Sequence, residues 1–305
     1  MTISIVLPLY NEELLVGELI DRVEDAISKI SHPVELLIVD DGSEDNTLAL
    51  LLAAREKNQS IKIVLLSRNF GLQAAILAGI ELAGGDAVIV MDGDLQDPPE
   101  LLPVLVSKLE EKETDIVVGR RISRAEKWPK KILINWFHKV VEPQYTQNKN
   151  YDTGNFCIMK RPVVQGILHA REKLRYFPGL RSFAGFRTEY IDYERQDRSN
   201  SKSKMTYMKL ISMAGDAIFS FSRWPVRICL VAGSISLMVM IIALIYALVS
   251  KVLGLAPLGW SSTFISIYVF GTLQLLFLGI IGEYIYRVYK EVQDRPSYII
   301  KKFYN

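Results

Sequence analysis

The stretch AVIVMDGD, residues 87–94, joins an apolar run to two aspartates separated by one glycine. The apolar run predicts a strand buried on both faces, as in a parallel sheet. Asp92 and Asp94 would then lie at the carboxyl end of that strand, where open α/β sheets bind ligands. Two carboxylates suit a hard divalent cation that also holds substrate phosphates. An Asp-x-Asp pair is common by chance and alone is more often a solvated turn, so the neighbouring sequence must decide.

Strand-like and helical patterns alternate on both sides of this stretch. Strands are predicted at 3–9, 35–39, 61–66, 87–91 and 115–118, and helices at 13–30, 46–57, 72–83 and 100–111. Such alternation predicts an α/β fold with a parallel, doubly wound sheet. Beyond Arg120 the pattern is looser, with a helix predicted at 130–141 and short strands at 156–159 and 188–193.

A polar loop follows each of the first four predicted strands. The loops are PLYNE at 8–12, DDGS at 40–43, SRNFG at 67–71 and DGDLQD at 92–97. A single such loop could be a capping turn, because Ser43 or Asp45 would cap a helix well. Four polar loops at one edge of a sheet instead predict a nucleotide pocket. In that pocket Tyr10 can stack on a base, and Asp40 or Asp41 can accept a hydrogen bond from its imide N–H.

Motifs of other nucleotide-binding and hydrolase folds are absent from the sequence. There is no Gly-x-Gly-x-x-Gly after the first strand, no Walker A lysine loop and no Gly-x-Ser-x-Gly elbow. A net charge of +2 gives no reason to expect nucleic acid as a partner, and the two cysteines lack metal-ligand spacing. The sequence therefore predicts that Asp92 and Asp94 bind Mg²⁺ or Mn²⁺ bridging two phosphates, which would stabilise a departing diphosphate.

Two long segments without charge, 228–250 and 252–282, follow this region. Each is long enough for the about 20 helical residues that cross a hydrocarbon core. Basic residues on the outer flanks, among them Arg223, Arg227, Arg287 and Lys290, predict a hairpin with both termini in the cytoplasm. A pair of buried core helices is the disfavoured alternative. The preceding amphipathic stretch, 205–221, is expected either on the membrane surface or as an ordinary domain helix.

The order of these motifs resembles that of GT-A glycosyltransferases of family 2. The four loops carry the resemblance, the last of them continuing as DGDLQDPPE at 92–100. Later motifs, VGRR at 118–121, DTGNF at 152–156 and SFS at 220–222, resemble the polyprenyl-phosphate glycosyltransferases. These include bactoprenol glucosyltransferases and, more distantly, dolichol-phosphate mannose synthases. The resemblance covers essentially the whole chain, although Ser201 stands where the family usually has glycine.

The resemblance implies transfer of one sugar, with inversion, from a nucleotide sugar to undecaprenyl or another polyprenyl phosphate. UDP-glucose is the expected donor, while UDP-GlcNAc, a UDP-pentose and GDP-mannose stay open. The implied nucleotide-sugar residues are Pro8, Tyr10, Asn11, Glu12, Asp40, Asp41, Ser67, Arg68, Asp92 and Gln96. The implied ligands of Mg²⁺ or Mn²⁺ are Asp92, Asp94 and Gln96, with Asp94 also counted as catalytic. The acceptor phosphate and donor diphosphate are expected to meet Arg120, Arg124, Arg198, Ser203 and Lys204.

Asp152 stands where inverting relatives keep a catalytic carboxylate. A phosphate monoester has a second pKa of about 6, so most of the acceptor is already the nucleophilic dianion at neutral pH. Positioning and charge neutralisation are then needed more than a strong base. We therefore expect Asp152 to orient the donor sugar or the acceptor phosphate, with a base role second and an Asx turn ahead of Gly154 as the structural alternative.

The predicted organisation has five parts. They are a cytoplasmic GT-A domain at 1–204, an amphipathic juxtamembrane helix at 205–225, transmembrane helices at 226–251 and 260–286, and a cytoplasmic tail at 287–305. This makes the chain an integral protein of the bacterial cytoplasmic membrane, and Gly271, Gly279 and Gly282 would permit a homo-oligomer. A processive polysaccharide synthase and a non-catalytic nucleotide-sugar sensor are the competing functions. The first is disfavoured because Ser220 replaces the glutamine of its Gln-x-x-Arg-Trp motif.

Overall fold

A single sheet organises the first of the two compact units of the chain. The computed structural model describes residues 1–111, 113–121, 153–169, 177–194, 260–293 and 295–305, with a few positions between 231 and 249. The described strands are β1 (Ile3–Leu9), β2 (Val34–Asp40), β3 (Ile61–Leu66), β4 (Ala87–Val90), β5 (Ile116–Arg121), β6 (Thr153–Lys160), β7 (Thr188–Tyr193) and β8 (Ile300–Tyr304). The described helices are α1 (Val16–Ser28), α2 (Thr47–Lys57), α3 (Leu72–Leu82), α4 (Leu102–Glu110), α5 (Arg161–His169), α6 (Phe177–Phe183) and α7 (Trp260–Val292). These strands form the sheet in the order β7-β5-β6-β4-β1-β2-β3-β8.

The centre of the sheet is parallel, which confirms the interpretation of the alternating pattern. β1 pairs in parallel with both β2 and β4, and β2 pairs in parallel with β3. These strands are apolar and mostly buried on both faces, as expected when helices cover both sides of a parallel sheet. Leu9 pairs with Asp40, and Asp40 pairs with Leu65, so the three strands end together. The loops after β1 to β4 therefore meet at one edge of the sheet, which we call the ligand edge.

β6 lies antiparallel between β4 and β5. Val90 pairs with Cys157, and Thr153 pairs with Arg120. Because β6 runs against its neighbours, its first residues rather than its last lie at the ligand edge. The sequence predicted only a short strand at 156–159 here, and the structure extends that strand back to Thr153. Part of the DTGNF motif is thereby brought next to the end of β4.

Helices cover both faces of the sheet and create two cores. One core contains Leu19 and Val23 of α1 and Leu105 of α4, packed on the sheet. The other contains most of α3, together with Val164 of α5 and Phe177 of α6. The predicted helices α1 to α4 are confirmed to within three residues at each end, whereas α5 and α6 were not predicted. These cores hold the strands that carry the loops of the ligand edge.

The C-terminal residues form a strand that the sequence analysis did not predict. β8 pairs antiparallel with β3, with Ile63 opposite Tyr304. The Ser67 N–H donates to the Ile299 carbonyl at 2.9 Å, so the start of this segment also supports the loop after β3. Residues Arg295–Asn305 thus belong to the same compact unit as the sheet.

The described part of a second compact unit, Met205–Asp294 with Asn135–Gln144, is dominated by α7. Its segment Val269–Tyr286 has a mean hydropathy of 1.5 and no residue buried within the protein. Among the described residues this is one helix whose length and composition would allow it to cross a membrane. The predicted helices at 130–141 and 205–225 and most of the predicted span at 226–251 lie outside the described residues.

Candidate active site

The loops after β1 and β2 are bound to each other through side chains. Asp40 accepts from the Ser43 hydroxyl at 2.5 Å and from the Ser43 N–H at 3.1 Å. The Ser43 oxygen in turn accepts from the Asn11 N–H at 3.0 Å, and the Asn11 side-chain oxygen accepts from the Glu44 N–H at 2.8 Å. The two loops therefore form one hydrogen-bonded wall at the ligand edge, with Tyr10 half-buried at the end of β1.

The capping alternative for Asp45 holds only in part. Asp45 accepts from the Thr47 N–H at 3.0 Å, at the first residue of α2, so it does satisfy a local backbone donor. It also accepts from the Glu13 N–H at 3.2 Å, across the gap to the loop after β1. The same carboxylate thus joins two loops in addition to serving its own turn.

Asp41 attaches the loop after β3 to the loop after β2. Its two carboxylate oxygens accept from the Phe70 and Gly71 N–H groups, each at 2.8 Å. Gly42 between these loops has φ +67°, and a Cβ there would lie 2.5 Å from the Arg68 carbonyl carbon. Only glycine fits this conformation and this close approach. The DDGS motif therefore encodes a fixed contact between two loops, in addition to any contact with a nucleotide.

Asp40 and Asp41 differ in how many of their carboxylate oxygens accept hydrogen bonds from the described residues. Burial raises the pKa of both carboxyl groups, and hydrogen bonds oppose that rise. Both oxygens of Asp41 are engaged by the loop after β3. Within the described residues, the buried Oδ2 of Asp40 has no hydrogen-bond partner. Beside them, the Arg68 guanidinium lies 4.3 Å from the Phe70 ring centroid, which keeps this cation at the ligand edge.

The loop after β4 contains Asp92 and Asp94. Asp92 Oδ1 accepts from the Asn155 side-chain amide at 2.9 Å, across the β4–β6 pair. Asp94 Oδ1 accepts from the Gln96 N–H at 3.2 Å in a tight turn, in which Leu95 has φ +58°. Burial, with help from nearby Asp97 and Asp94, raises the pKa of the Asp92 carboxyl to about 6. A divalent cation would favour the charged form of this carboxylate.

The carboxylates of Asp92 and Asp94 suit a metal ion that is also bound by a ligand. Within the described residues, no group of three or more His, Cys, Asp or Glu side chains could hold a metal by itself. Mg²⁺ is commonly bound by one or two carboxylates together with substrate phosphates, and Asp92 and Asp94 supply two hard oxygen ligands. Gln96, the predicted third ligand, is half-buried on the same loop.

The two arginines at the end of β5 have different partners. Arg120 forms a two-pronged ion pair with Asp192, with N–O distances of 2.5 and 2.8 Å, beside the Tyr190 ring. Arg121 instead points into the domain, and its charge opposes the rise in the pKa of Asp92. Sequence reasoning selected Arg120 and missed Arg121 and Asn155. The opposite directions of neighbouring strand residues are the signal that could have drawn attention to Arg121.

Of the remaining predicted site residues, three lie in the described part of the chain and five lie outside it. Pro8 is buried in β1, and Glu12 and Ser67 lie in loops of the ligand edge. The other predicted residues, Arg124, Asp152, Arg198, Ser203 and Lys204, lie outside the described residues.

The mostly parallel sheet and the polar loops at its ligand edge define an α/β protein of the GT-A-like class. A sequence model described as glycosyl transferase family 2 matches residues 4–168, and the chain belongs to this family. It is therefore a glycosyltransferase.

Relatives match the chain over nearly its full length. An uncharacterized glycosyltransferase of Synechocystis sp. is 39% identical, covering 98% of this chain and 94% of the relative. A prophage-derived bactoprenol glucosyl transferase of Shigella flexneri is 34% identical, covering 99% and 98%. Among solved structures, glucosyl-3-phosphoglycerate synthase of Mycobacterium tuberculosis with Mn²⁺, UDP-glucose and phosphoglyceric acid is 18% identical. It has a TM-score of 0.51, covering 72% of this chain and 78% of that one, and this likeness concerns the fold.

Proposed function

We propose that this glycosyltransferase transfers one sugar, with inversion, to undecaprenyl or another polyprenyl phosphate at the cytoplasmic face of the bacterial inner membrane. UDP-glucose is the proposed donor. The observation that carries the proposal is the meeting of the Asp92 and Asp94 loop with three hydrogen-bonded loops at one edge of the sheet. The Shigella flexneri relative, named for glucosyl transfer to bactoprenol, supports the lipid acceptor because the match includes the region beyond the sheet domain.

The donor would lie along the ligand edge. In this proposal the loops that contain Tyr10, Asp40 and Arg68 hold the nucleotide, and Asp92, Asp94 and Gln96 hold Mg²⁺ or Mn²⁺. The metal, when bound, supplies positive charge that stabilises the departing diphosphate. Asn155 keeps the Asp92 carboxylate oriented toward that site through the 2.9 Å hydrogen bond. These residues position the donor and neutralise charge, which are the two contributions expected to dominate for a phosphate nucleophile.

The acceptor phosphate needs cations and no strong base. Arg120, Arg124, Arg198, Ser203 and Lys204 are the proposed set, and we add Arg121 because it faces the Asp92 loop. Guanidinium groups match the geometry of phosphate oxygens and stay charged at all physiological pH values. Asp152, directly before the first residue of β6, is proposed to orient the sugar or the phosphate.

Connectivity supports an even number of membrane crossings. The chain leaves the sheet unit at Lys204 and returns to it at Arg295, because β8 is part of the sheet. If α7 crosses the membrane once, an odd number of further crossings must lie between these two points. The predicted span at 226–251 would supply one. The path of the chain therefore favours the same two-helix hairpin that the flanking charges favour.

Epitope tags test that topology. We expect protease to digest a tag at either terminus in inverted membrane vesicles, and to spare both in intact spheroplasts, because both ends belong to the sheet unit. A tag inserted in the predicted connecting loop, near Pro257, serves as the matched control and should show the reverse pattern. Digestion of the C-terminal tag from outside the spheroplasts would contradict the hairpin.

Replacement of Asp41 by asparagine tests the coupling between the loops. The amide would turn an N–H₂ group toward one of two backbone donors, which costs roughly 1–3 kcal/mol when the group is buried. We expect UDP binding, measured by calorimetry, to weaken by about tenfold or more, with a lower unfolding temperature. Glu35→Gln is the control, since Glu35 accepts from the Gly84 N–H at 3.0 Å away from the ligand edge. That variant should lose stability and keep its affinity for UDP.

A donor panel tests the proposed function itself. Purified protein in detergent would be given undecaprenyl phosphate, Mg²⁺ or Mn²⁺, and in turn UDP-glucose, UDP-GlcNAc, a UDP-pentose and GDP-mannose. We expect release of the nucleoside diphosphate that depends on the lipid phosphate and is highest with UDP-glucose. Equal release without the lipid would point to hydrolysis and contradict the proposed acceptor, whereas a preference for another donor would correct the sugar alone.

A further inference from the structure

Arg121 is held by a closed ring of hydrogen bonds. Its Nε–H donates to the Tyr193 hydroxyl oxygen at 3.1 Å, and its Nη2 donates a longer bond of 3.4 Å to Asp97 Oδ1. The Tyr193 hydroxyl donates to the same Asp97 oxygen. Three residues from three separated parts of the chain therefore meet in one network, which we call the Arg121 ring: Asp97, Arg121 and Tyr193.

Burial of the Asp97 carboxylate in the Arg121 ring costs free energy of folding. The Asp97 side chain is 0% exposed, and its Oδ2 has no hydrogen-bond partner among the described residues. Burying a carboxylate is unfavourable unless it is paired and hydrogen-bonded, and here one oxygen carries both bonds. A fold under selection for stability alone could use an apolar side chain at this position. The burial of Asp97 is explained if its negative charge is needed to hold the Arg121 guanidinium in place.

Tyr193 is suited to act as a rigid donor in the ring. Its aromatic ring packs edge-to-face on Phe156, with a centroid distance of 5.7 Å and an interplanar angle of 78°. Burial and the neighbouring Asp97 raise the pKa of the hydroxyl, so it stays protonated and keeps donating to the carboxylate. The tyrosine oxygen thus has a fixed location from which to accept the Arg121 Nε–H.

The Arg121 guanidinium also lies close to Gly154. A Cβ at this position would lie 2.7 Å from Arg121 Nη2 and 3.1 Å from its Cζ. The guanidinium therefore lies directly against the backbone of the DTGNF segment, two residues after Asp152 and one before Asn155, which donates to Asp92. The Arg121 ring thereby fixes this cation between the β6 segment and the Asp92 loop.

We propose that Asp97 and Tyr193 are positioning residues, which hold the Arg121 guanidinium in place for a phosphate group at the ligand edge before any substrate binds. An unrestrained arginine would have to give up its side-chain freedom on binding, and preorganisation avoids that cost. This inference rests on the proposed function for the identity of the phosphate, which belongs to the donor diphosphate or to the lipid acceptor.

The kinetic test uses substitutions that leave the domain packed. Tyr193→Phe keeps the ring on Phe156 and removes only the hydroxyl. Gly154→Ala leaves Asp97 and Tyr193 intact and displaces the far end of Arg121. Each is expected to lower kcat/KM about tenfold or more, the size expected for losing a hydrogen bond to a charged group. The unfolding temperature should also fall, because each change weakens a hydrogen bond to the buried Asp97 carboxylate, so rates are compared well below that temperature. The double variant Arg121→Ala/Tyr193→Phe should be no slower than Arg121→Ala alone, because Tyr193 acts through Arg121.

The neighbouring arginine provides a matched control on the same strand. Arg120 has its own carboxylate and its own aromatic partner, Asp192 and Tyr190. Tyr190→Phe keeps the aromatic ring beside Arg120 and should retain most of the wild-type kcat/KM. Wild-type kinetics for both Tyr193→Phe and Gly154→Ala, or a further loss in the double variant, would overturn the inference.

A spectroscopic measurement keeps the inference separate from the proposed function. In ¹H–¹⁵N spectra of the full chain in detergent, the Arg121 Nε–H should exchange slowly with solvent, and its signal should be absent in Arg121→Lys. Tyr193→Phe should abolish that protection, whereas Tyr190→Phe should preserve it. If the wild type transfers no sugar from any donor, the proposed function fails and this protection still reports on the ring. Unchanged protection in Tyr193→Phe would contradict the positioning role.

Discussion

Asp94→Asn is expected to reduce sugar transfer by roughly a hundred- to a thousand-fold, the range seen when one group that stabilises transition-state charge is removed. Asparagine keeps a side-chain oxygen that can accept from the Gln96 N–H, so the turn at the end of β4 should survive. The substitution removes one negative charge and with it one ligand of a hard cation. Steady-state rates measured across a Mg²⁺ titration would show the loss, with saturation shifted to higher metal concentration.

A second aspartate serves as the control for Asp94. Asp86 lies at the opposite edge of the sheet, where it accepts from the Thr2 N–H at 2.7 Å. Asp86→Asn should transfer sugar at the wild-type rate with the wild-type metal dependence. If Asp94→Asn also retained wild-type rates at low metal concentration, the loop after β4 could not be the metal site.

Asp152→Asn is expected to lose more than tenfold in turnover while the affinity for the nucleotide sugar stays nearly intact. The prediction follows from the family resemblance and from the position of the adjoining segment. Thr153 pairs with Arg120, and Asn155 donates to Asp92, so residues 153–155 lie at the ligand edge. A carboxylate that orients the sugar or the acceptor phosphate acts on the reacting groups and contributes little to holding the nucleotide.

Single-turnover rates, together with calorimetric UDP-sugar binding, would separate the two contributions for Asp152. Asp152→Glu tests position, because it keeps the charge and moves it by one methylene. Turnover of Asp152→Asn at the wild-type rate would leave the carboxylate with a turn-forming role only. A parallel loss of affinity and turnover would instead indicate that it helps to hold the donor.

The part of the fold that carries the loops could be predicted because its signals are local. Each central strand is a continuous apolar run, and each ends at a polar loop whose residues appear together in the sequence. β1 and β3 were predicted with their observed bounds, and the edge at which the loops meet follows from parallel pairing. The internal contacts of that edge, such as Asp41 with Phe70 and Gly71, depend on loop geometry and have no periodic signal.

Non-local pairing explains what the sequence could not provide. β6 enters the sheet between β4 and β5 in the opposite direction, and no local pattern specifies a neighbour in the sheet. β8 is only five residues long and follows a membrane-length helix, so the sequence pattern alone predicts a tail there. The choice of Arg120 over Arg121 has the same origin. Both are basic residues of one motif on opposite faces of one strand, and it is the packing of Tyr193 and Asp97 that determines which of them is held in the domain.

The most direct test of the account follows a labelled sugar into lipid. Membranes containing the chain, supplied with radiolabelled UDP-glucose, Mg²⁺ and undecaprenyl phosphate, would be extracted with organic solvent. We predict label in the lipid extract that requires the lipid phosphate and is lost in Asp94→Asn. Label in a water-soluble polymer would indicate a processive synthase. Absence of lipid label with any donor would contradict the account and favour a non-catalytic sensor.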